Sequence, residues 1–382
     1  MQKKKILVFF LILWMSLTVA AFFPSVILNP SLYSKVRLAV YGLLSLLFVS
    51  TSAYRAIPRP FFRVNFCLLF LTFIMLLVFF AVGFRFSWAD IINILVVLVA
   101  MCIGYAWKID ANTVENLTLV FGALSVLLGV FTMFFFVGSI KLSQFMYLVD
   151  TKNMVGQIVA AGTIGLTLIT FTCKTKRWIK YPLLVLSVIL TFFLRCRTAA
   201  AAYVLFVAYF IWKRYDYRQM LFFVIAVGAL LAVFHSSVSS FFSDVFIGQT
   251  DVTDTDSLSA GRMHRNVDGW NFFMMHPLFG EMNTPSDLQN IHNYVLRRLA
   301  AYGVFSFPFQ LIYIVFFINL IKQWLKVNMN DVRCVGLMMM IVPFFSSFLE
   351  PLSPFGPGLV QIIIFFFYGM YLRGETISSA RS

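Results

Sequence analysis

A chain of 382 residues that is 61% hydrophobic and only 12% charged lies far outside the range of ordinary globular domains, and it is read as a membrane protein. Its formal net charge of +15 is the kind of excess that marks cytoplasmic loops, so nucleic acid is not expected as a partner. Five cysteines, Cys67, Cys102, Cys173, Cys196 and Cys334, stand singly with no paired spacing, which indicates neither a disulfide framework nor a zinc site.

A helix crosses a bilayer in about 20 mostly apolar residues. The first such run, 6–23, is followed by Pro24 and bulky residues where a signal peptide would need small ones, so it reads as a retained span. Further runs follow at 36–53, 64–82, 91–107, 117–137, 154–173, 182–196, 198–212, 219–235, 302–321, 334–349 and 358–372. The expected fold is an all-α polytopic membrane protein of about 12 transmembrane helices. Most of the 30 basic residues fall on the side of Lys3, Lys4 and Lys5, a bias that sets both termini in the cytoplasm. The chain then divides into 1–235 with the first nine spans, an outer-face catalytic loop at 236–301, and 302–382 with the last three spans and a short cytoplasmic tail.

The charges that topology disfavours are Lys35, Arg37, Arg85, Lys141, Lys152, Arg195, Arg197, Arg262, Arg265, Arg297 and Arg298, all assigned to the outer side. The polar stretch 236–291 is far longer than the other connections, and long loops in compact proteins are usually functional or disordered. Within it Trp270, Phe272, Phe273, Met274, Met275, Leu278 and Phe279 crowd together, the composition of an amphipathic helix lying at the outer interface. All four histidines, His235, His264, His276 and His292, fall in this loop or at its borders. The run TDVTDTDS also lies here; it reads as a flexible acidic loop or as an oxygen cluster for calcium, without EF-hand spacing.

In NIHNYVLRRLAAYG, His292, Leu296, Leu299 and Gly303 recur at helical spacing, which would turn His292 into the bundle. There it either satisfies backbone groups or serves as a neutral imidazole base for a hydroxyl. Arg195 and Arg197, in RCRTAAAAY, sit at the outer end of a hairpin, where one can face the bundle and the other the headgroups. Arg262 and Arg265 lie in the loop with Asp251, Asp254, Asp256 and Asp268 as possible ion-pair partners. Outer arginines and a histidine above an apolar bundle suit an amphiphile with an anionic head, such as a lipid-linked pyrophosphate, because guanidinium groups fork onto phosphate oxygens. Glu350, in SSFLEPLSPFGPG, is either an interfacial acid or a binder of sugar hydroxyls.

The pattern HNxxLxxLxxxG formed by His292, Asn293, Leu296, Leu299 and Gly303 resembles the signature after the long outer loop in the bacterial O-antigen ligase and O-antigen/capsular polysaccharide polymerase superfamily. Upstream, SAGR at 259–262, Trp270 and HPLFG at 276–280 resemble that family's Gly-Arg, Trp and Pro-x-x-Gly succession. RTA at 197–199 resembles its Ser-Arg-Thr element, with Cys196 in place of the serine, and Asn153 with Gly156 resembles its Asn-x-x-Gly motif. The likeness covers the later 60% or so of the chain in order and spacing. Two departures are Met282, where a second glycine is usual, and a wide gap from Gly-Arg to Trp, which leaves Arg262 and Arg265 both open as the family arginine.

The resemblance implies a metal-independent, inverting glycosyltransferase of the C-type membrane class, without a cofactor, that uses an undecaprenyl-pyrophosphate-linked oligosaccharide as donor and a sugar hydroxyl as acceptor. By that likeness Arg197 and Arg262 hold the pyrophosphate and stabilise charge on the leaving group, while His292 assists the acceptor hydroxyl. Arg195, Arg265, Asn153, Asn293 and Glu350 are the remaining substrate-binding candidates. The apolar spans would shelter the polyprenyl tail; membrane lipids are further partners, and a chain-length regulator is a partner by family analogy. The compact chain favours a polymerase over a ligase that transfers finished glycan to another acceptor. A flippase for the same lipid-linked sugars is the alternative from another class, but it predicts charges near mid-membrane and an inverted repeat.

Overall fold

The computed structural model describes residues 2–55, 88–107, 110–136, 149–194, 196–216, 262–280, 291–351, 354–356 and 359–379, with 73, 77, 218, 219 and 225 besides. The described residues are overwhelmingly helical and contain no strand. In chain order the helices are α1 Gln2–Ala20, α2 Pro24–Ile27, α3 Pro30–Ser50, α4 Trp88–Ala106, α5 Ala111–Phe136, α6 Val149–Thr172 and α7 Arg177–Phe193. They continue as α8 Arg197–Arg214, α9 Arg262–Met275, α10 Tyr294–Tyr302, α11 Phe307–Lys326, α12 Val335–Met339, α13 Ile341–Ser346 and α14 Ile362–Ser379.

Four stretches, Pro30–Ser50, Ala111–Phe135, Asn153–Thr172 and Tyr294–Lys326, are long and apolar enough to cross a membrane. Shorter apolar helices accompany them at Lys5–Ala20, Ile91–Ala106, Val332–Ser346 and Ile362–Gly374. Apolar helices of this kind belong to a membrane-embedded protein. The expected runs at 64–82 and 219–235 lie, except for single residues, outside the described residues.

Burial separates an inner layer from an outer one. The apolar window of α6 is 89% buried and that of α3 only 17%, so α6 is core while α3 turns residues such as Leu38 and Val49 outward. Over its first nine residues α14 is buried all round, with Phe365, Phe366, Phe367 and Tyr368 at its centre. Helices in lipid gain little from apolar burial as such, so close approach decides how they pack. The contact of α14 with α4 is of this kind: a Cβ on Gly104 would lie 1.9 Å from the Phe366 carbonyl oxygen, and one on Gly369 would lie 2.0 Å from that of Met101.

Polar side chains cross-link the inner helices. Thr163 and Thr191 pair at 2.9 Å between α6 and α7, and Gln361 Nε2 donates to Gln157 Oε1 at 2.8 Å. Such bonds contribute on the order of 0.6 kcal/mol each in a membrane bundle. Lys180, whose place in the basic stretch KTKRWIK is that of a loop cation, is fully buried. Its ammonium donates to Glu115 Oε1 at 2.9 Å and to the carbonyls of Ile169 at 3.1 Å and Cys173 at 2.8 Å, which satisfies all three of its donors.

One local expectation is refined and another corrected. The run 334–349 corresponds to the apolar helical stretch Val332–Ser346, which is divided into α12 and α13 by a single turn residue, Met340, itself at helical angles (φ −64°, ψ −13°); Pro343 just beyond has no N–H to give to the preceding turn. The helical spacing of His292 with Leu296 fails. Asn293 is extended (φ −147°, ψ 128°) and caps α10, its Oδ1 accepting from the Leu296 N–H at 3.1 Å, so His292 precedes the helix. The buried face of α10 is formed by Tyr294, Arg298 and Ala301, an i, i+4, i+7 series.

Candidate functional site

Five segments meet where α6 and α8 begin: the start of α6, the start of α8, α9, the cap of α10 and the stretch after α13. From α6, Asn153 Nδ2 donates to Glu350 Oε1 at 3.1 Å. From α9, Arg262 Nη2 reaches the same oxygen at 3.2 Å while its Nη1 lies 3.5 Å from Thr198 Oγ1 on α8. Glu350 Oε2 lies 3.9 Å from His292 Nδ1. One turn along α9 from Arg262, Arg265 Nη1 is 3.0 Å from His292 Nε2. The carboxylate of Glu350 is therefore the hub of the cluster, with Asn153 and Arg262 both on its Oε1.

Local sequence explains how these groups are held. Besides capping α10, Asn293 donates through Nδ2 to the Phe348 carbonyl at 3.3 Å, and the Tyr294 N–H bonds the Ser347 carbonyl at 3.2 Å, which ties His292 to the stretch that carries Glu350. Helix α9 is seated on α10 by the HPLFG turn. Gly280 (φ +69°) and Gly303 (φ +59°) lie against each other's segments: a Cβ on Gly280 would come within 2.5 Å of the backbone at Ala301 and Tyr302, and one on Gly303 within 2.5 Å of the Pro277 and Leu278 carbonyl oxygens. The Val304 N–H donates to the Pro277 carbonyl at 2.8 Å, and Phe279 stacks on Phe305 at 5.1 Å. Gly303→Ala combines a disfavoured backbone region with a clash against backbone, and it is expected to cost about 2–4 kcal/mol. Thermal unfolding in detergent checks this, the variant melting well below the parent chain.

The opposite face of α9 is apolar and exposed. Met263, Val267, Trp270 and Met274 follow one another at i, i+4, i+7 and i+11, continued by Met275 and Leu278. The expected amphipathic helix is thus present, with its arginines on the side toward the cluster.

Electrostatics in the cluster are dominated by cations. His292 has its pKa pushed down to about 4, first by burial and then by the charges of Arg262, Arg265 and Arg297, against a smaller opposing pull from the backbone at Leu349. Arg197 lies close enough to Arg262 for the two charges to repel. Because a guanidinium can only donate, His292 Nε2 must accept from Arg265, which assigns the ring proton to Nδ1. That Nδ1 is buried, with only a weak interaction with the backbone at Leu349 and no side-chain partner at hydrogen-bond distance among the described residues. The arrangement is a neutral imidazole with one face toward a carboxylate and a surrounding shell of arginines.

The depressed pKa has a stability consequence. Between about 4 and the ordinary value of 6.5, the unfolded chain binds a proton at His292 that the folded chain does not, so stability rises with pH across that window and is lost as pH falls through it. Unfolding measured at pH 7.5 and at pH 4.5 is expected to show a larger loss for the parent chain than for His292→Gln.

Of the sequence candidates, Arg197, Arg262, Arg265, Asn153, His292, Asn293 and Glu350 all lie in or beside this cluster. Arg262 and Arg265 both enter it, by different partners. Arg195 and the TDVTDTDS run fall outside the described residues. His264 is turned away, 3.7 Å from Asp268 on the exposed side of α9. Two groups at the cluster were not among the sequence candidates for the site: Thr198, which signals itself only through its place beside Arg197, and Arg297, noted in sequence only as an outer charge beside Arg298. Arg298 is 3% exposed and stacks 5.1 Å from the rings of both Tyr294 and Phe309, a cation–π brace within α10 and α11. Among the described residues no group of three His, Cys, Asp or Glu side chains is placed to hold a metal.

No protein-family model matches the chain, and no curated protein matches it.

Proposed function

We propose that the chain is a surface polysaccharide polymerase, an inverting and metal-independent glycosyltransferase that joins undecaprenyl-pyrophosphate-linked repeat units on the outer face of the bacterial cytoplasmic membrane. In this reading about 12 spans cross the bilayer, both termini are cytoplasmic, and the beginnings of α6 and α8 open outward. The observation that carries it is the meeting of Arg262, Arg265, Glu350 and His292 above helices apolar enough to lie in lipid. The exposed apolar stripe of α9 supports the same placement, since it suits the headgroup boundary.

The chemistry follows from the roles these groups can fill. An acceptor sugar hydroxyl attacks the anomeric carbon of the donor from the face opposite the phosphate. The new C–O bond forms as the bond to the phosphate oxygen breaks, and the electron pair leaves on undecaprenyl pyrophosphate. Arg197 and Arg262 stabilise that charge, and fixed cations in a partly desolvated site are effective at this. The hydroxyl proton passes to His292 Nε2, the ring nitrogen that lacks a proton. Glu350 and Asn153 hold Arg262 in place.

The reading is tested in cells by replacing His292 with alanine. An enzyme leaves lipid-linked repeat units accumulating on the outer leaflet; accumulation on the inner leaflet would instead identify a flippase. A strict requirement for a second acceptor lipid in the purified reaction would reassign the chain as a ligase.

A further inference from the structure

The resting cluster contains an obstacle to the chemistry proposed for it. The lone pair that should take a proton, on His292 Nε2, is occupied by Arg265 Nη1 at 3.0 Å. The other ring nitrogen carries a buried N–H that stops 3.9 Å short of Glu350 Oε2, about a full ångström beyond a hydrogen bond. The groups facing the ring are Arg262 and Arg265 from α9, Arg297 from α10 and the Glu350 carboxylate after α13. In that setting the imidazole is both blocked and a weak base.

An arriving anion changes each of these terms at once. A guanidinium prefers a charged phosphate oxygen to a neutral imidazole nitrogen, because charge-assisted bonds are roughly twice as strong as neutral ones. Arg265 is half-buried on a surface helix and one turn from Arg262, so a diphosphate held by Arg262 lies within its reach. We propose that Arg265 is a substrate-responsive cap on His292: a diphosphate anion draws Arg265 off Nε2, which uncovers the lone pair and lets the ring close onto Glu350 as its counter-charge. Rested on the donor reading given above, this makes Arg265 a positioning residue that couples donor binding to base activation. It keeps the site from deprotonating hydroxyls, water included, until the leaving group is in place. The deeper logic is electrostatic: the anion also neutralises the cations that hold the imidazole unprotonated.

The test uses the full chain in lipid nanodiscs, labelled with ¹⁵N at its four histidines, with the His292 signal assigned by its loss in His292→Asn. The probe is inorganic pyrophosphate, and its binding is measured separately by calorimetry. Without ligand, His292 is expected to titrate near 4 and to show an unprotonated, hydrogen-bonded Nε2. Saturating pyrophosphate is expected to raise the protonation constant roughly tenfold or more, about one pH unit. Arg265→Gln is expected to raise it without ligand and to lose most of the response to pyrophosphate. Pyrophosphate that binds without moving the His292 titration overturns the cap while leaving the anion site standing. An Arg265→Gln protein whose ligand-free His292 titrates as in the parent chain overturns the cap by itself. Absence of pyrophosphate binding defeats the donor reading and the cap together.

Discussion

Replacing His292 with alanine is expected to lower the rate of glycosyl transfer by about 10²–10⁴-fold, the usual contribution of a positioned general base, while leaving the membrane helices folded. The expectation of a folded variant follows from where the side chain sits. His292 precedes α10, it is half-buried, and the turn around it is held by the side chain of Asn293 and the backbone of Tyr294. Initial rates with a lipid-linked repeat unit, together with size-exclusion profiles of parent and variant, check both halves of the statement. A variant that keeps full activity would remove the imidazole from the mechanism.

Arg262→Ala is expected to cost about 10²–10³-fold in turnover, the range seen when one fixed donor to a developing charge is removed. Arg262 links three segments, since it touches Glu350 and lies beside Thr198 while standing on α9. Its loss should also remove one partner of Glu350 and raise the affinity of His292 for protons, because Arg262 is the largest of the charges that depress it. Arg262→Lys should recover little, for a single ammonium cannot fork between two partners. Rates of Arg262→Ala and Arg262→Lys, compared with the titration of His292 in each, separate lost charge from lost geometry.

Much of the architecture was legible because apolar runs in lipid are long and uninterrupted. The expected spans at 117–137 and 154–173 correspond to α5 and α6, and that at 198–212 to α8, within a few residues. Breaks inside apolar sequence were harder to read: Pro343 and the Met340 turn are hidden in a run that hydropathy alone takes as one span. Burial of charge was harder still. Lys180 looks like a loop cation in sequence, and only the approach of Glu115 and two carbonyls makes its complete burial tolerable.

In the site, residue identity was readable and residue geometry was not. The order of Asn153, Arg197, Arg262, His292 and Glu350 along the chain carried no information about which side chains touch, because partners such as Asn153 and Glu350, or Arg262 and Glu350, lie 197 and 88 residues apart. Periodicity misled at His292, where an asparagine cap rather than a helical turn sets the side chain's direction. It could have found Arg298, which shares a helical face with Tyr294. The choice between Arg262 and Arg265 dissolved once α9 was seen to present both, one to the carboxylate and one to the imidazole.

The most direct measurement is a reaction of the purified chain in nanodiscs with undecaprenyl-pyrophosphate-linked repeat units and nothing else. A ladder of products that grows by whole repeat units, with one undecaprenyl pyrophosphate released for each new glycosidic bond and inversion at the anomeric carbon, is the predicted result. Repeat units that bind but release no undecaprenyl pyrophosphate, with or without an added acceptor lipid, would contradict it.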